Sequence, residues 1–388
     1  MNYYRNQILR LKSFIVIILL ISLFLSSAVA KDKKAQEKET NLLVKNSKSH
    51  VLDIMVKVAD WQIASNHYSK FHDLDWTNAT FYTGLFDLAQ LSGNWSYQEW
   101  LKAIGNKYQW QPYFSMYVAD DIVVSQMYLS MYKVNGDERM FYPTQARTEW
   151  VIKHPSPSNL FYGQGATSFD RWSWCDALFM APPVYVQMYN ITRDDSYLDF
   201  MNKEYNATYD LLYDKEEHLF YRDYRYKARR EKNGEKVFWG RGNGWVVGGL
   251  VKILKDLPRD NKYRDFYVTL FKEMCEKVAG LQDESGYWHA SLLDQEAYTN
   301  PETSASSFNV YALAYGINSG LLDRETYLPV VEKGWKALEK AVSPDGKLGW
   351  VQPVGAAPEA VTKDMTEVYG VGAFLLAGCE VYSMVGKN

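Results

Sequence analysis

The segment Trp245-Val-Val-Gly-Gly-Leu250 places two glycines inside an apolar stretch with helical spacing. A later segment, Tyr369-Gly-Val-Gly-Ala-Phe374, has the same character. Glycine in a helix interior costs about 1 kcal/mol relative to alanine, so its repeated use needs a compensating gain. Close side-by-side packing of helix backbones supplies that gain. The two segments therefore predict helices that pack tightly against one another.

Helix-period patterns dominate the chain, and strand patterns are weak. Six stretches share small or apolar residues at helical spacing followed by a polar turn, and their starts lie about 40 to 70 residues apart. Each interval is long enough for one helical hairpin and a loop. We therefore predict an all-α fold, an (α/α)6 barrel in which six inner helices alternate with six outer ones. An open α-solenoid is the alternative. The six stretches cover residues 80–94, 121–137, 176–194, 243–260, 304–323 and 369–382.

Composition limits the classes of partner. The chain carries 43 basic and 46 acidic residues, so it has no global positive charge and we expect no nucleic-acid partner. Its 13 Trp, 30 Tyr and 17 Phe suit two roles, because aromatic faces pack against sugar rings and also fill cores. Cys175, Cys275 and Cys379 are widely spaced and odd in number, which predicts buried thiols rather than a disulfide framework.

The amino-terminal residues have the organisation of a signal peptide. Arg5, Arg10 and Lys12 precede an apolar run over residues 14–25, and Ala28-Val-Ala30 fits a cleavage site. The run is short for a membrane span, although an uncleaved anchor is the alternative. We predict a signal peptide over 1–30, a charged linker over 31–45 and one catalytic domain over 46–388. The mature chain would be exported to the periplasm or the medium, without membrane contact after cleavage.

Three aspartates precede predicted inner helices. Asp120 and Asp121 close the motif Tyr117-Val-Ala-Asp-Asp121, and Asp176 closes Arg171-Trp-Ser-Trp-Cys-Asp176. In a toroid the loops before the inner helices converge at one end, so we expect these carboxylates to lie close together. The aromatic surroundings of Asp176 predict a raised pKa, which suits a general acid. Helix capping is the alternative reading of each motif.

A third motif, Trp239-Gly-Arg-Gly-Asn-Gly-Trp245, combines glycines with a cation. Arg241 is suited to hold a carboxylate through two parallel hydrogen bonds, and glycines let a backbone approach a ligand closely. The surrounding pattern lacks alternating strands and helices, which excludes a dinucleotide-binding loop. A glycine-rich helix-packing turn is the alternative.

Further substrate-binding candidates lie near inner-helix starts or in the basic run that begins at Arg222 and ends at Lys236. Tryptophans would offer sugar platforms, and polar groups would bind hydroxyl or acid groups. The basic run is either a solvated loop or a positive cover that favours an anionic substrate. These candidates are Trp76, Trp172, Trp174, Arg222, Asn243, Trp245 and Glu302.

Other chemistries find no support in the sequence. The six histidines are scattered, without the paired spacing of a metal site, and neither a nucleophile elbow nor a P-loop motif occurs. We therefore expect no metal and no other cofactor. The sequence leaves the oligomeric state open.

The three motifs together resemble the unsaturated rhamnogalacturonyl hydrolases of glycoside hydrolase family 105. The resemblance extends from about residue 50 to the carboxyl end. It is carried by Ala119-Asp-Asp121 with Gln126-Met-Tyr-Leu129, by Trp174-Cys-Asp176 with Met180-Ala-Pro182, and by Arg241-Gly-Asn-Gly-Trp245.

This resemblance implies an (α/α)6 barrel and an unusual reaction. The enzyme would remove an unsaturated uronic acid from the non-reducing end of lyase-generated acidic oligosaccharides by hydrating its C4=C5 double bond. It implies Asp176 as the general acid/base, Asp121 as the assisting carboxylate with Asp120 as the alternative, and Arg241 and the tryptophans as uronate binders. The partner implied is an anionic oligosaccharide.

One residue departs from the family pattern. Family members that act on pectin fragments often carry histidine after Leu-Phe-Tyr, whereas this chain reads Leu219-Phe-Tyr-Arg222. An arginine there is suited to a sulfate or a second carboxylate, which favours unsaturated glucuronyl-3-sulforhamnose from ulvan over unsaturated galacturonyl-rhamnose from pectin. Two alternatives stay open: an inverting glycosidase acting on intact glycosides, and a non-catalytic glycan-binding protein.

Overall fold

A computed structural model of the chain describes residues 47–65 and 70–386. The predicted signal peptide over 1–30 and linker over 31–45 lie outside the described residues and stay predictions. Residues Val51–Met384 form one compact unit. None of the helices in the described ranges is long and apolar enough to cross a lipid bilayer.

Helices make up most of this unit, and they alternate between an inner and an outer layer. The outer helices are α1 (47–64), α3 (Trp95–Lys107), α5 (Tyr142–Lys153), α8 (Ser196–Leu212), α10 (Arg264–Gly280) and α12 (Arg324–Ala341). The inner helices are α2 (Trp76–Ser92), α4 (Ser125–Asn135), α6 (Ala177–Met180) continued by α7 (Pro182–Thr192), α9 (Gly240–Asp256), α11 (Thr303–Ser319) and α13 (Val368–Met384).

Short elements complete the fold between the long helices. Two-residue strands β1 (Tyr213–Asp214) and β2 (Leu219–Phe220) pair antiparallel. Single turns of 3-10 helix cover Ala119–Asp121, Glu138–Met140 and Tyr224–Tyr226. The first and third of these turns carry residues of the candidate active site.

The inner helices form a closed ring. Each packs against the next in the order α2, α4, α7, α9, α11 and α13, and α13 packs back against α2. An open solenoid has no such contact between its first and last units. The predicted (α/α)6 barrel is therefore confirmed, and the solenoid alternative is excluded.

Burial explains which helices lie inside. In α11 and in α13, 15 of the 17 residues are buried, so these helices meet protein on every side. In α12 only six of 18 residues are buried, and they form one stripe. A helix that is apolar all round belongs in a core, whereas a single apolar stripe fits a surface helix.

Glycines close the ring where α2 meets α13. A Cβ atom at Gly372 would lie 2.5 Å from the carbonyl oxygen of Thr80, and one at Gly84 would collide with the carbonyl oxygen of Gly372. The two backbones therefore touch directly. The close helix packing predicted from the glycine pattern is confirmed at this seam.

Two predicted inner helices differ in detail. The third is interrupted at Ala181, because Pro182 and Pro183 lack the N–H groups that would continue the hydrogen bonding of α6. The second begins at Ser125 rather than at Asp121, because residues Ala119–Asp121 form a separate 3-10 turn.

The glycine seam makes a testable stability prediction. Substituting Gly372→Ala is expected to lower the free energy of unfolding by about 1–3 kcal/mol, because the backbones must move apart. Gly280→Ala is the matched control, since nothing lies within 4 Å of a Cβ there, at the end of α10. That control should change the free energy by less than about 1 kcal/mol. Both free energies of unfolding are measured by chemical denaturation. An equal loss of stability in the two variants would contradict the assigned contact.

Candidate active site

The starts of the inner helices meet at one end of the barrel. Trp76, which begins α2, stacks on Tyr369 of α13 at 5.1 Å and lies edge-on to Trp245 of α9 at 5.9 Å between ring centroids. Glu302, just before α11, accepts a hydrogen bond from the backbone N–H of Gln352 in the loop before α13. Residues distant in sequence are thus brought together here, as the toroid predicts.

Asp176 is buried at this end, with 9% of its surface exposed. It stands directly before α6, yet its side chain makes no capping hydrogen bond, so the capping alternative does not explain it. Its Oδ2 atom lies 3.8 Å from Nε of Arg222 and 3.5 Å from Sγ of Cys175. Burial raises the pKa of Asp176, and the charges of Arg222 and Arg241 oppose that rise. A carboxyl in this state is suited to donate a proton.

Asp120 faces Asp176. Burial raises the pKa of Asp120 well above its ordinary 3.8, and the charges of Asp176 and Asp121 add to the rise. Its buried Oδ1 atom has no hydrogen-bond partner in the part of the chain that the structure describes. An unpaired buried acceptor of this kind is available to a substrate hydroxyl group.

Asp121 is differently placed from its neighbour. Its Oδ2 accepts a 2.6 Å hydrogen bond from the backbone N–H of Ser115, which ties the carboxylate to the preceding loop. It does not cap α4 either, because Val124 occupies the N-cap position. Between the two members of the predicted pair, the geometry favours Asp120 as the carboxyl that acts with Asp176.

Arg222 is held rigidly beside Asp176. Its Nη1 donates to Asp223 at 2.8 Å, its Nη2 donates to the hydroxyl of Tyr162 at 3.1 Å, and its buried Nε has no hydrogen-bond partner among the described residues. The backbone carbonyl of Arg222 accepts from the N–H of Cys175. Arg222 therefore interacts with the acid itself, and its Nη groups are already engaged.

Asn243 positions the segment that carries Arg222. Its side chain accepts from the backbone N–H of Phe220 and donates to the carbonyls of Phe220 and Trp239. These bonds join β2 to α9 and use both ends of the amide group. Asn243 therefore has a structural role, since it is buried with both N–H donors engaged, and its predicted contact with a substrate stays a prediction.

Arg241 does not form the predicted two-bonded clamp on a substrate carboxylate. Its side chain is fully buried, and Nη1 and Nη2 donate to the carbonyls of Gln352 and Pro353 at 2.7 and 2.8 Å. The guanidinium lies between the rings of Trp239 and Tyr369. Only Nε is unpaired among the described residues, so Arg241 acts on the site mainly through its charge.

The glycines of this third motif pack against protein. A Cβ at Gly240 would collide with the carbonyl of His289, and one at Gly244 would lie 3.1 Å from Phe308. Their predicted role in approaching a ligand is therefore not what the structure shows. The alternative, a helix-packing turn, describes the motif.

The predicted tryptophans occupy three environments. Trp76 is half-buried beside Tyr369, and Trp174 lies edge-on to Tyr162 beside Arg222. Trp245 is buried in the core against Phe308, at 4.5 Å between centroids. Trp172 packs against Tyr185 and Phe200, between the inner and outer layers. Of the four, Trp76 alone is more than slightly exposed, so it is the one that remains a candidate for a sugar platform.

Glu302 is a helix cap. It is fully buried and accepts hydrogen bonds from Ser304, from the N–H of Ala305 and from the N–H of Gln352. Both carboxylate oxygens are thereby used. The predicted substrate contact gives way to a structural role, which joins the start of α11 to the loop that carries Gln352.

Three residues of this region were not predicted from the sequence as site residues. Asp223 pairs with Arg222, Tyr162 stacks under it, and Tyr369 lies against Arg241. A signal existed for Asp223, since an acid directly follows the unusual arginine. Tyr162 lies in a loop without periodicity, 60 residues before Arg222 in the sequence. Only the folded structure shows that these two residues are partners.

A cavity of about 190 Å³ lies nearer the opposite ends of the inner helices. It is lined by Asp87, Lys133, Lys252 and Lys255 among others. Lys133 pairs with Asp256 and Lys255 pairs with Glu380, so two of its three lysines are neutralised. It contains none of the motif carboxylates, and we place the active site at the other end.

These features define a class of protein. A closed (α/α)6 barrel whose inner-helix starts carry a buried carboxyl, Asp176, and a part-buried one, Asp120, both with a raised pKa, fits a glycoside hydrolase. The sequence profile of Glycosyl Hydrolase Family 88 matches residues 54–385, and the chain belongs to this family. The predicted resemblance to the unsaturated uronyl hydrolases and the prediction of an enzyme are confirmed.

Known relatives share nearly the whole chain. An "Unsaturated 3S-rhamnoglycuronyl hydrolase" of Formosa agariphila is 39% identical over 340 residues, which cover 85% of this chain and 90% of that protein. A solved structure described as a polysaccharide lyase is 35% identical, with a TM-score of 0.79 over 87% of this chain and 97% of that one. A glycosyl hydrolase family 88 structure from Bacteroides vulgatus is 34% identical, with a TM-score of 0.77 over 87% and 99%.

The raised pKa of Asp120 makes a prediction about stability. Because the folded-state pKa lies above the unfolded one, ionisation of Asp120 disfavours the fold as pH rises through the folded pKa. Asp120→Asn stays neutral and is expected to be more stable than wild type by about 1 kcal/mol above that pKa. The gain should vanish below pH 3.8, the ordinary value.

Thermal unfolding measured across pH checks this prediction. Asp210→Asn, at an exposed position on α8, is the control and should show no such pH-dependent gain. A variant Asp120→Asn that is less stable than wild type at neutral pH would show that the carboxyl is ionised and well solvated in the fold.

Proposed function

We propose that this enzyme removes a 4,5-unsaturated uronic acid from the non-reducing end of acidic oligosaccharides by adding water across the C4=C5 bond. The observation that carries the proposal is Asp176, a buried carboxyl that caps no helix and faces a second carboxyl and an arginine. The name of the Formosa agariphila relative, an unsaturated 3S-rhamnoglycuronyl hydrolase, supports the same reaction.

The protonation step follows from the state of Asp176. The protonated carboxyl donates its proton to C4 of the enol ether, and positive charge develops at C5, where the ring oxygen stabilises it. Arg222, 3.8 Å from Oδ2, then stabilises the carboxylate that the transfer leaves behind. Arg222 thereby lowers the energy of the ionised product state without abolishing the protonated state that burial favours.

Water completes the reaction. It adds to C5 and returns a proton to the carboxylate of Asp176, which regenerates the acid. The resulting C5 hemiketal opens to a ketone, and the hemiacetal formed at C1 expels the sugar that was attached there. One water molecule is consumed, and no glycosyl-enzyme bond forms. Asp120, with its unpaired Oδ1, is placed to accept a hydrogen bond from the sugar or from this water.

We further propose that the departing sugar is a sulfated rhamnose. The relative is named an unsaturated 3S-rhamnoglycuronyl hydrolase, and in this chain Arg222 lies beside Asp176 and shares the ring of Tyr162 with Arg225. An unsaturated galacturonyl-rhamnose from pectin is the alternative substrate. The structure described as a polysaccharide lyase raises a second alternative, a lyase reaction that creates the double bond.

Ultraviolet absorbance of the conjugated double bond separates these reactions. The wild-type chain is expected to reduce the absorbance of lyase-generated unsaturated disaccharides, and Asp176→Asn to lower the rate by about 100-fold or more. Asp120→Asn should lower it more than Asp121→Asn, because the charge of Asp176 acts on Asp120, whereas Asp121 is bound to the backbone of Ser115. Rising absorbance on a saturated polysaccharide would indicate a lyase. Turnover of saturated oligosaccharides would favour an inverting glycosidase.

The pH dependence of kcat/KM tests the contact between Arg222 and Asp176. Activity should fall as pH rises through the pKa of Asp176, because the acid is then ionised. Arg222 holds that pKa down, so Arg222→Gln is expected to move this alkaline limb to higher pH as well as lower the rate. Arg229→Gln, on an exposed part of the same basic run, should leave the limb in place. A shift toward lower pH would contradict the assignment.

A further inference from the structure

We propose that Arg225 and Tyr162 form a subsite for a sulfate ester on the departing sugar, distinct from the group that serves Asp176. The inference rests on the proposed function and assigns residues to its specificity.

Both arginines share one aromatic ring. The guanidinium carbon of Arg222 lies 4.1 Å from the ring centroid of Tyr162, and that of Arg225 lies 4.6 Å from it. The Tyr162 hydroxyl also accepts a hydrogen bond from Arg222. Arg225 is therefore next to the residue that contacts the general acid.

A single buried carboxylate holds this pair. Asp223 is fully buried and accepts from Nη1 of Arg222 at 2.8 Å, and from Nε and Nη2 of Arg225 at 2.8 and 2.9 Å. Burial opposes ionisation of Asp223, but the hydrogen bonds from Arg225 and Arg222 hold its pKa below the ordinary value. One negative charge against two positive charges leaves a net positive charge, which favours an anionic group nearby.

The two arginines differ in what they can still bind. Arg222 is 9% exposed and uses both Nη groups, while its free Nε points at Asp176. The side chain of Arg225 is 37% exposed, and its Nη1 makes no hydrogen bond to the described residues. Asp223 fixes one edge of this guanidinium, so its remaining N–H groups are oriented and open to solvent. A fixed guanidinium edge matches the oxygens of a sulfate ester.

Apolar rings lie beside this cation. Phe169 packs edge-on against Tyr162, and Phe161 packs edge-on against Tyr224, the neighbour of Arg225. Their side chains are nevertheless exposed, Phe161 by 42% and Phe169 by 38%. Exposed aromatic faces next to an oriented cation suit a sugar ring that carries an anionic group.

The rest of the basic run lacks this arrangement. Lys236 is paired with Asp214 and Glu216, and Nη1 of Arg230 donates to backbone carbonyls. Arg229 stacks on Tyr226, outside the shared ring. Among these basic residues, Arg225 is the arginine that is both held in place and open to solvent, and Arg229 offers a matched control.

The test compares the 3-sulfated unsaturated glucuronyl-rhamnose with its desulfated form. Wild type should favour the sulfated substrate through a lower KM. Arg225→Gln is expected to raise KM for the sulfated form by roughly 10-fold or more, with little change for the desulfated form or for kcat on either. Arg225→Lys should keep part of the preference, because the charge remains. Arg229→Gln should leave KM and kcat unchanged for both substrates.

Other outcomes overturn the subsite in distinguishable ways. One such outcome is that Arg225→Gln raises KM equally for both substrates while its thermal midpoint matches wild type. Arg225 then does not bind the sulfate, and the proposed reaction stands. Equal wild-type KM values for both substrates lead to the same conclusion. If wild type hydrates neither substrate, the proposed function itself fails. Should Arg225→Gln not fold, Arg225→Lys carries the comparison.

Discussion

Direct backbone contact between α2 and α13 is the constraint on which the structure depends. Gly84 and Gly372 let the first and last inner helices meet without side chains between them, so the ring closes. Closure brings the starts of α2, α9, α11 and α13 together around Trp76, Tyr369 and Gln352. A ring left open at this seam would separate the halves of the active site, because its residues come from segments on both sides of the seam.

Within this closed end, burial and charge act on Asp176 in opposite directions. Burial favours the neutral acid, and Arg222 and Arg241 favour the carboxylate. A hydration reaction needs both states in turn, since the same group gives a proton and takes one back. Arg241 exerts its charge from a site where backbone carbonyls hold both Nη groups, and Arg222 is held by Asp223 and Tyr162. Both positive charges therefore act on Asp176 from positions held by hydrogen bonds.

Several polar residues near the site serve the architecture. Glu302 caps α11, and Asn243 joins β2 to α9, so both residues set the positions of loops that carry other groups. In the sequence they resemble binding residues, because both are polar and lie at the starts of inner helices. The distinction depends on whether any donor or acceptor is left unpaired, and at Asp120, Arg222 and Arg241 one is.

The sequence by itself determined the all-α toroid, the approximate positions of the inner helices and the family, and it predicted Asp176 as the general acid. Helical periodicity and glycine placement are local properties, and a motif of adjacent residues is read without knowing the fold. Only the tertiary structure shows Arg222 paired with Tyr162 and Arg241 bound to backbone carbonyls, and it favours Asp120 over Asp121 as the second carboxyl. These outcomes depend on which groups from distant segments reach each side chain, and periodicity carries no information about that.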